Sequence, residues 1–98
     1  MARQIVWSKM ADRKFDLIIE YLLENWGEST AQSFVRESHD FIELLSHYPN
    51  LGTIENKERS IRGFVLTKQI TLFYKVTNTR IVLLNFYDNR QNPLKPKF

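Results

Sequence analysis

The sequence contains no cysteine, so the chain can form neither a disulfide bond nor a thiol active site. This composition is typical of a reducing compartment. The sequence also lacks the N-terminal apolar run of a signal peptide, and no uncharged apolar stretch approaches the ~20 residues that cross a bilayer. Internal repeats and low-complexity segments are absent as well. These absences predict a soluble, cytoplasmic protein that does not bind membranes.

The chain does contain enough apolar side chains for one core. Hydrophobic residues make up 43% of its 98 residues and aromatic residues 13%, which is typical of a globular protein and excludes a disordered one. A chain of this length suits a single core. We therefore predict one domain over residues 1–98.

Charge is distributed unevenly along the chain. Residues 1–56 carry five basic and nine acidic side chains, whereas residues 57–98 carry nine basic and two acidic ones. Such a basic region attracts nucleic acid or an acidic protein. Lysine and arginine also protect sheet edges from aggregation, but the regional bias favours a binding partner.

Two stretches have the spacing of amphipathic helices. In the first, apolar residues recur every three or four positions after Ser8, the predicted N-cap, and Gly27 ends a helix of about 18 residues. The second begins at Ser29, whose side chain would share a capping box with Gln32, and ends at the turn 49–52. The short link between the two predicts an antiparallel helix hairpin.

Strand patterns flank this hairpin. Residues 53–58 are polar and are predicted to be a loop, and Gly63 predicts a bulge or a close backbone approach. The last strand is apolar on both faces and should lie inside the sheet. The order predicts an α+β domain, β-α-α-β-β-β, with a small twisted, mostly antiparallel sheet packed against the N-terminal helix hairpin. The predicted strands are 4–7, 59–68, 70–76 and 80–87, and the predicted hairpin turn is 77–79.

Several local sequences, in this order and spacing, resemble the RelE/ParE superfamily of type II toxins. They are IIEYLLENWGESTAQSF, YPNLG, IRGFVL, LFYKV and IVLLNFYDNRQNP, and the likeness covers nearly the whole chain. The resemblance implies a growth-inhibiting toxin, a role in plasmid stabilisation, and no cofactor. It also implies a hetero-oligomer with a small antitoxin encoded beside the toxin.

The antitoxin of such a pair covers basic residues of its toxin with an acidic or amphipathic segment. Here it has two candidate surfaces, the basic sheet region and the apolar surface that the helix hairpin leaves open. Leu23, Leu44 and Leu51 fall partly off the main apolar stripes and are candidates for the second surface. The edge of the core is an equally good interpretation of these three residues.

Members of this superfamily divide into two functional types. ParE-like members inhibit DNA gyrase by binding it, and RelE-like members cleave messenger RNA on the ribosome without a metal. RNA cleavage needs a base, an acid and cations for the phosphorane. Arg62, Tyr87 and Arg90 are the catalytic candidates for that chemistry, and Asp88 is a candidate base.

Departures from the nuclease pattern favour the gyrase inhibitor. Thr71 and Phe64 stand where nuclease members commonly have basic residues, and neither histidine lies in the final segment. A gyrase inhibitor needs only a charged, shaped surface with anchors such as arginine and tyrosine. A relative that binds antitoxin but has lost toxicity is a third interpretation. The residues predicted to bind target or antitoxin are Arg62, Lys68, Lys75, Arg80, Tyr87, Asp88 and Arg90.

Two further groups of residues are assigned to ordinary solvated surface. Lys95 and Lys97 are assigned to solubility or weak electrostatic attraction. His39, Glu43 and His47 share one helical face at spacings of four, so two of them could bind a metal, but no further ligand is evident. A solvated helix face is the better interpretation, and no metal site is predicted.

Overall fold

A computed structural model describes residues 2–90 and 97–98, and Lys95 and the QNP of the last quoted motif lie outside this part. Both helices pack on one face of a five-stranded sheet with the strand order β1-β5-β4-β3-β2. Strand β1 runs parallel to β5, and the other pairs are antiparallel. This confirms the predicted α+β architecture. The elements are β1 (Gln4–Trp7), α1 (Lys9–Asn25), α2 (Glu28–His47), β2 (Thr53–Asn56), β3 (Ile61–Thr67), β4 (Ile70–Val76) and β5 (Arg80–Asp88).

The prediction of a loop at 53–58 was wrong. Residues Thr53–Asn56 form the edge strand β2, and Thr53 pairs with Gly63. Its sequence, TIEN, has a single large apolar side chain, Ile54, and that side chain is exposed. An edge strand without a buried face has no alternating pattern, so only its hydrogen bonds to β3 identify it.

The two helices begin differently. Ser8 caps α1 as predicted, because its Oγ accepts a hydrogen bond from the Ala11 N–H at 3.0 Å. The predicted capping box at Ser29 was wrong, since α2 begins at Glu28 with Gly27 as its N-cap. Gly27 has φ +100°, a conformation that glycine adopts easily, and as the N-cap it stands two residues before the predicted one. Ser29 therefore lies within the first turn, and Gln32 donates to the Glu28 side chain instead.

An extra residue in β5 changes which of its side chains face the helices. Phe73 pairs with Asn85 and Tyr74 pairs with Leu83, so Leu84 has no partner in β4 and forms a bulge. Before the bulge, Ile81 and Leu83 belong to the core under the helices. After it, Phe86 occupies that core. Strand β5 lies between β1 and β4, which confirms its predicted place inside the sheet.

A buried tyrosine attaches the loop after α2 to the sheet. Tyr74 is fully buried, and its hydroxyl accepts a hydrogen bond from the Gly52 N–H at 2.8 Å and donates to the Pro49 carbonyl at 3.0 Å. Burial is the main cause that raises the pKa of this hydroxyl above its ordinary value. A Cβ on Gly52 would lie 2.7 Å from both the Gly63 carbonyl oxygen and the Tyr74 hydroxyl. The close approach therefore requires glycine at position 52.

Within the part of the chain that the structure describes, neither helix combines the length and the apolar character needed to span a membrane.

Replacing Tyr74 with Phe tests the attachment of this loop. The variant leaves the buried Gly52 N–H without an acceptor, so we expect the free energy of unfolding to fall by about 1–3 kcal/mol. Chemical denaturation of Tyr74→Phe beside Tyr48→Phe measures the difference, because the Tyr48 side chain is 60% exposed and its change should be nearly neutral. Equal stabilities of the two variants would contradict the role of the Tyr74 hydroxyl.

Candidate functional site

The sheet face away from the helices, called the open face below, carries a mixture of apolar, aromatic and basic side chains. Strand register places its residues in three rows across β3, β4 and β5. The rows are Ile61, Lys75 and Val82, then Gly63, Phe73 and Asn85, then Val65, Thr71 and Tyr87. The bulge at Leu84 is the reason that Asn85 and Tyr87 belong to this face.

Basic side chains surround the open face. Lys75 and Arg80 are exposed, and alternation along β5 puts Arg80 on the same face as Val82. The Arg59 guanidinium lies 6.0 Å from the centre of the Phe98 ring, and the Lys97 amine lies 5.9 Å from that of Tyr87. These distances suit cation–π contacts. Four of the basic residues in the C-terminal half, Arg59, Lys75, Arg80 and Lys97, therefore lie around this face.

The centre of the open face is aromatic and buried. Phe73 and Tyr87 are 3% and 4% exposed, and their rings meet edge to face with centres 6.0 Å apart. The Phe98 ring packs on Phe73 at 5.2 Å between centres. Asn85 Nδ2 donates a hydrogen bond to the Lys97 carbonyl at 2.9 Å. Lys97 and Phe98 therefore cover part of a sheet face that the helices do not reach.

Arg62 lies on the other face of the sheet and holds the loop that follows α2. Its Nη1 donates to the Gly52 carbonyl at 2.7 Å and, less closely, to the Asn50 carbonyl at 3.4 Å. It pairs in register with Tyr74, whose hydroxyl binds the same loop. This contact gives a structural reason for a cation within an apolar strand.

Asp88 and Arg90 form a close ion pair at the end of β5. Arg90 donates from Nε to Asp88 Oδ1 at 3.0 Å and from Nη2 to Oδ2 at 2.8 Å. These hydrogen bonds are the main cause that lowers the pKa of the Asp88 carboxyl below its ordinary value, and the same pairing raises the pKa of Arg90. A carboxylate held ionised in this way is a weak general base. The Arg90 guanidinium also lies 5.7 Å from the centre of the Tyr21 ring.

The three predicted catalytic residues do not converge. Arg62 pairs with Tyr74, and Asp88 pairs with Ile70. Ile70 and Tyr74 are four residues apart along β4, so Arg62 and Asp88 lie about 13 Å from each other along the strand direction. Tyr87 points to the open face, whereas alternation puts its neighbour Asp88 on the helix side. The structure thus brings Asp88 and Arg90 together but leaves Arg62 and Tyr87 in separate surroundings. Lys68 is exposed in the turn between β3 and β4.

The helix side of the sheet has a groove whose lining residues were not singled out in the sequence, although an open apolar surface on the helix hairpin was expected. The groove has a volume of about 530 Å³ and lies between the two helices, the β3–β4 turn and the end of β5. Leu17, Tyr21 and Trp26 of the α1 region line it, although they are 47%, 41% and 67% exposed. Their spacing of four and five along one side of α1 was the available signal. Lys14, Glu37, Asp88 and Arg90 are its charged lining residues.

The three leucines proposed for antitoxin binding do not line this groove. Leu23, Leu44 and Leu51 are indeed 48%, 47% and 42% exposed. They are not among the residues that surround the groove. Of the large exposed apolar side chains on the helix hairpin, Leu17, Tyr21 and Trp26 line the groove, whereas Leu23 and Leu44 lie outside it.

No metal cluster is present among residues 2–90 and 97–98, where no three His, Asp or Glu side chains lie close enough to share an ion. Glu43 and His47 form an exposed pair with 3.5 Å between Oε1 and Nε2. His39 instead lies beside the rings of Trp7 and Phe15. The shared helical spacing of the three residues thus does not produce a common site.

Comparison with solved structures shows the same fold in bacterial toxins. The chain is similar to a chromosomal ParDE toxin–antitoxin system from P. aeruginosa, with 17% identity, 89% of this chain and 96% of that chain covered, and a TM-score of 0.73. It is similar to the YoeB dimer from Staphylococcus aureus, with 13% identity, coverages of 89% and 97%, and a TM-score of 0.64. A YoeB/ParE toxin from Agrobacterium tumefaciens gives 13% identity, coverages of 87% and 97%, and a TM-score of 0.63.

Sequence comparison identifies the family. No curated protein sequence matches the chain, but the family model described as the ParE toxin of type II toxin–antitoxin systems, parDE, matches residues 5–93. This match covers most of the chain and confirms the resemblance to the RelE/ParE superfamily. The chain belongs to the ParE toxin family of type II toxin–antitoxin systems.

Proposed function

We propose that this toxin inhibits DNA gyrase by binding it in the cytoplasm through the open face. The observation that carries the proposal is the composition of that face, which combines exposed basic residues with an aromatic centre. Lys75 and Arg80 are exposed there, and Arg59 and Lys97 lie over aromatic rings. Arginine and aromatic side chains are the common anchors of protein interfaces. The positive charge of the basic residues favours an acidic surface on the target and accelerates association with it.

The second candidate function is ribosome-dependent cleavage of messenger RNA. The basic, aromatic character of the open face favours it, because such surfaces also attract RNA. Cleavage further requires an acid and a base at one phosphate. Tyr87 is buried, Asp88 is held ionised by Arg90, and Arg62 contacts the loop after α2. This separation supports inhibition by binding over hydrolysis.

We assign the groove on the helix side to the antitoxin. A toxin kept inactive by a protein partner needs a surface whose burial stabilises the complex, and the groove supplies exposed apolar side chains at Leu17, Tyr21 and Trp26. Lys14 and the Arg90–Asp88 pair provide polar contacts at its border. An amphipathic helix of the antitoxin fits a surface of this kind.

Loss of positive charge on the open face should weaken gyrase inhibition. We expect the double variant Lys75→Ala, Arg80→Ala to need about tenfold more toxin to inhibit DNA supercoiling, a change of about 1.4 kcal/mol in binding. Arg36→Ala is the matched control, because Arg36 is an exposed cation on α2, away from the sheet. Unchanged inhibition by the double variant would contradict the assignment of the face. RNA cleavage by the wild-type protein on ribosomes would favour the second candidate.

A polar side chain in the groove should weaken antitoxin binding. Leu17→Gln and Leu44→Gln form a matched pair, since both leucines are helical and 47% exposed but only Leu17 lines the groove. We expect Leu17→Gln to lower affinity for the adjacent antitoxin at least about fivefold, through loss of roughly 1 kcal/mol of apolar burial. Titration calorimetry measures both. Equal affinities for the two variants would move the antitoxin to another surface.

A further inference from the structure

Asn85 is a buried polar residue that is only half satisfied. Its side chain is 3% exposed and lies on the open face beside Phe73 and Tyr87. Nδ2 donates to the Lys97 carbonyl, but Oδ1 has no hydrogen-bond partner in the part of the chain that the structure describes. Burying an acceptor without a donor is costly, so the contact with Lys97 leaves a place for a better partner.

The Asn85 side-chain amide, with one hydrogen bond made and one missing, indicates what kind of group would complete it. A side-chain amide can pair with one residue of an extended chain, donating from Nδ2 to the C=O of that residue while Oδ1 accepts from its N–H. Lys97 supplies the carbonyl for this pairing, but its N–H does not reach Oδ1. Phe98 meanwhile places an aromatic ring against Phe73, within 6.0 Å of the Arg59 guanidinium.

We propose that Asn85, Phe73, Tyr87 and Arg59 form a binding site for an extended peptide segment with an aromatic side chain. Lys97 and Phe98 occupy this site but leave Oδ1 of Asn85 without a hydrogen bond. A segment that satisfies both ends of the Asn85 amide replaces them. Phe73 and Arg59 receive its aromatic ring, as they now receive Phe98, and the Tyr87 face accepts a basic side chain, as it now accepts Lys97.

The occupant that we assign to the site is a segment of the gyrase target, and this assignment rests on the proposed function. Lys75 and Arg80 border the same face and attract an acidic target surface to it. The antitoxin groove lies on the opposite side of the sheet, among the helices. Target binding through this site therefore requires that Lys97 and Phe98 first leave it.

The site can be tested without gyrase. The blocked dipeptide acetyl-Lys-Phe-N-methylamide is titrated into the Phe98→Ala variant, and the Asn85 side-chain amide and the Phe73 and Tyr87 rings are followed by NMR. We expect saturable shifts at these groups, with a Kd on the order of millimolar. The response should be weaker in the wild-type chain, where Phe98 competes. No shifts, or an equal response to acetyl-Lys-Ala-N-methylamide, would overturn the peptide site.

The occupant is tested by inhibition of gyrase. Removal of the Phe98 ring, which competes with the target for the site, raises the fraction of toxin that can bind. The Phe98→Ala variant should therefore inhibit supercoiling at a concentration at least about threefold lower than wild type. Leu23→Ala, at an exposed leucine outside the open face, is the control and should match wild type. Weaker inhibition by Phe98→Ala would show that Phe98 itself contacts gyrase. This result would overturn the claim that Phe98 competes with the target for the site. If the dipeptide binds but no variant inhibits gyrase, the site stands, and both gyrase as its occupant and the proposed function fail.

Discussion

The bulge at Leu84 determines what each face of the sheet can do. Without this extra residue, the alternation that buries Ile81 and Leu83 under the helices would also direct Asn85 and Tyr87 into the core. The bulge reverses the alternation, so Phe86 completes the core and Asn85 and Tyr87 reach the open face. A single unpaired residue thus separates an apolar core from a polar and aromatic surface.

The two surfaces that we propose for the target and the antitoxin differ in chemical character. The open face joins positive charge to an aromatic centre and lies on one side of the sheet. The groove between the helices presents exposed apolar side chains on the other side. The Asp88–Arg90 pair lines the groove, although the neighbouring Tyr87 belongs to the open face. The residues that line the groove include none of those in the three rows of the open face.

Much of this fold could be predicted from the sequence where a pattern has one physical cause. The stripe of α1 follows from burial of one face, the Ser8 cap from a free N–H at the helix start, and the strands β3, β4 and β5 from runs of apolar, β-branched and aromatic residues, and all were recognised. The edge strand β2 was missed because nothing in its side chains is buried. Gly27 correctly predicted the end of α1. Its positive φ also lets it act as the N-cap of α2. This role was not predicted, because Ser29 and Gln32 have the spacing of a capping box.

The site was less predictable because it depends on register. The residues IVLLNFY are apolar on both faces, so no periodicity in the sequence reveals a bulge within them. Arg62 was predicted to act in catalysis or binding from its place in an apolar strand, and its contact with the carbonyls of a neighbouring loop could not be read from the sequence. The burial of Asn85 and its contact with Lys97 require knowledge of long-range neighbours that local patterns do not contain.

The central claim, that this toxin acts on gyrase by binding, is tested most directly by pulse-labelling new DNA and new protein in cells immediately after the toxin is induced. If gyrase is the target, DNA synthesis stops first while protein synthesis continues. Early arrest of protein synthesis, with DNA synthesis declining only later, would contradict it and identify translation as the target.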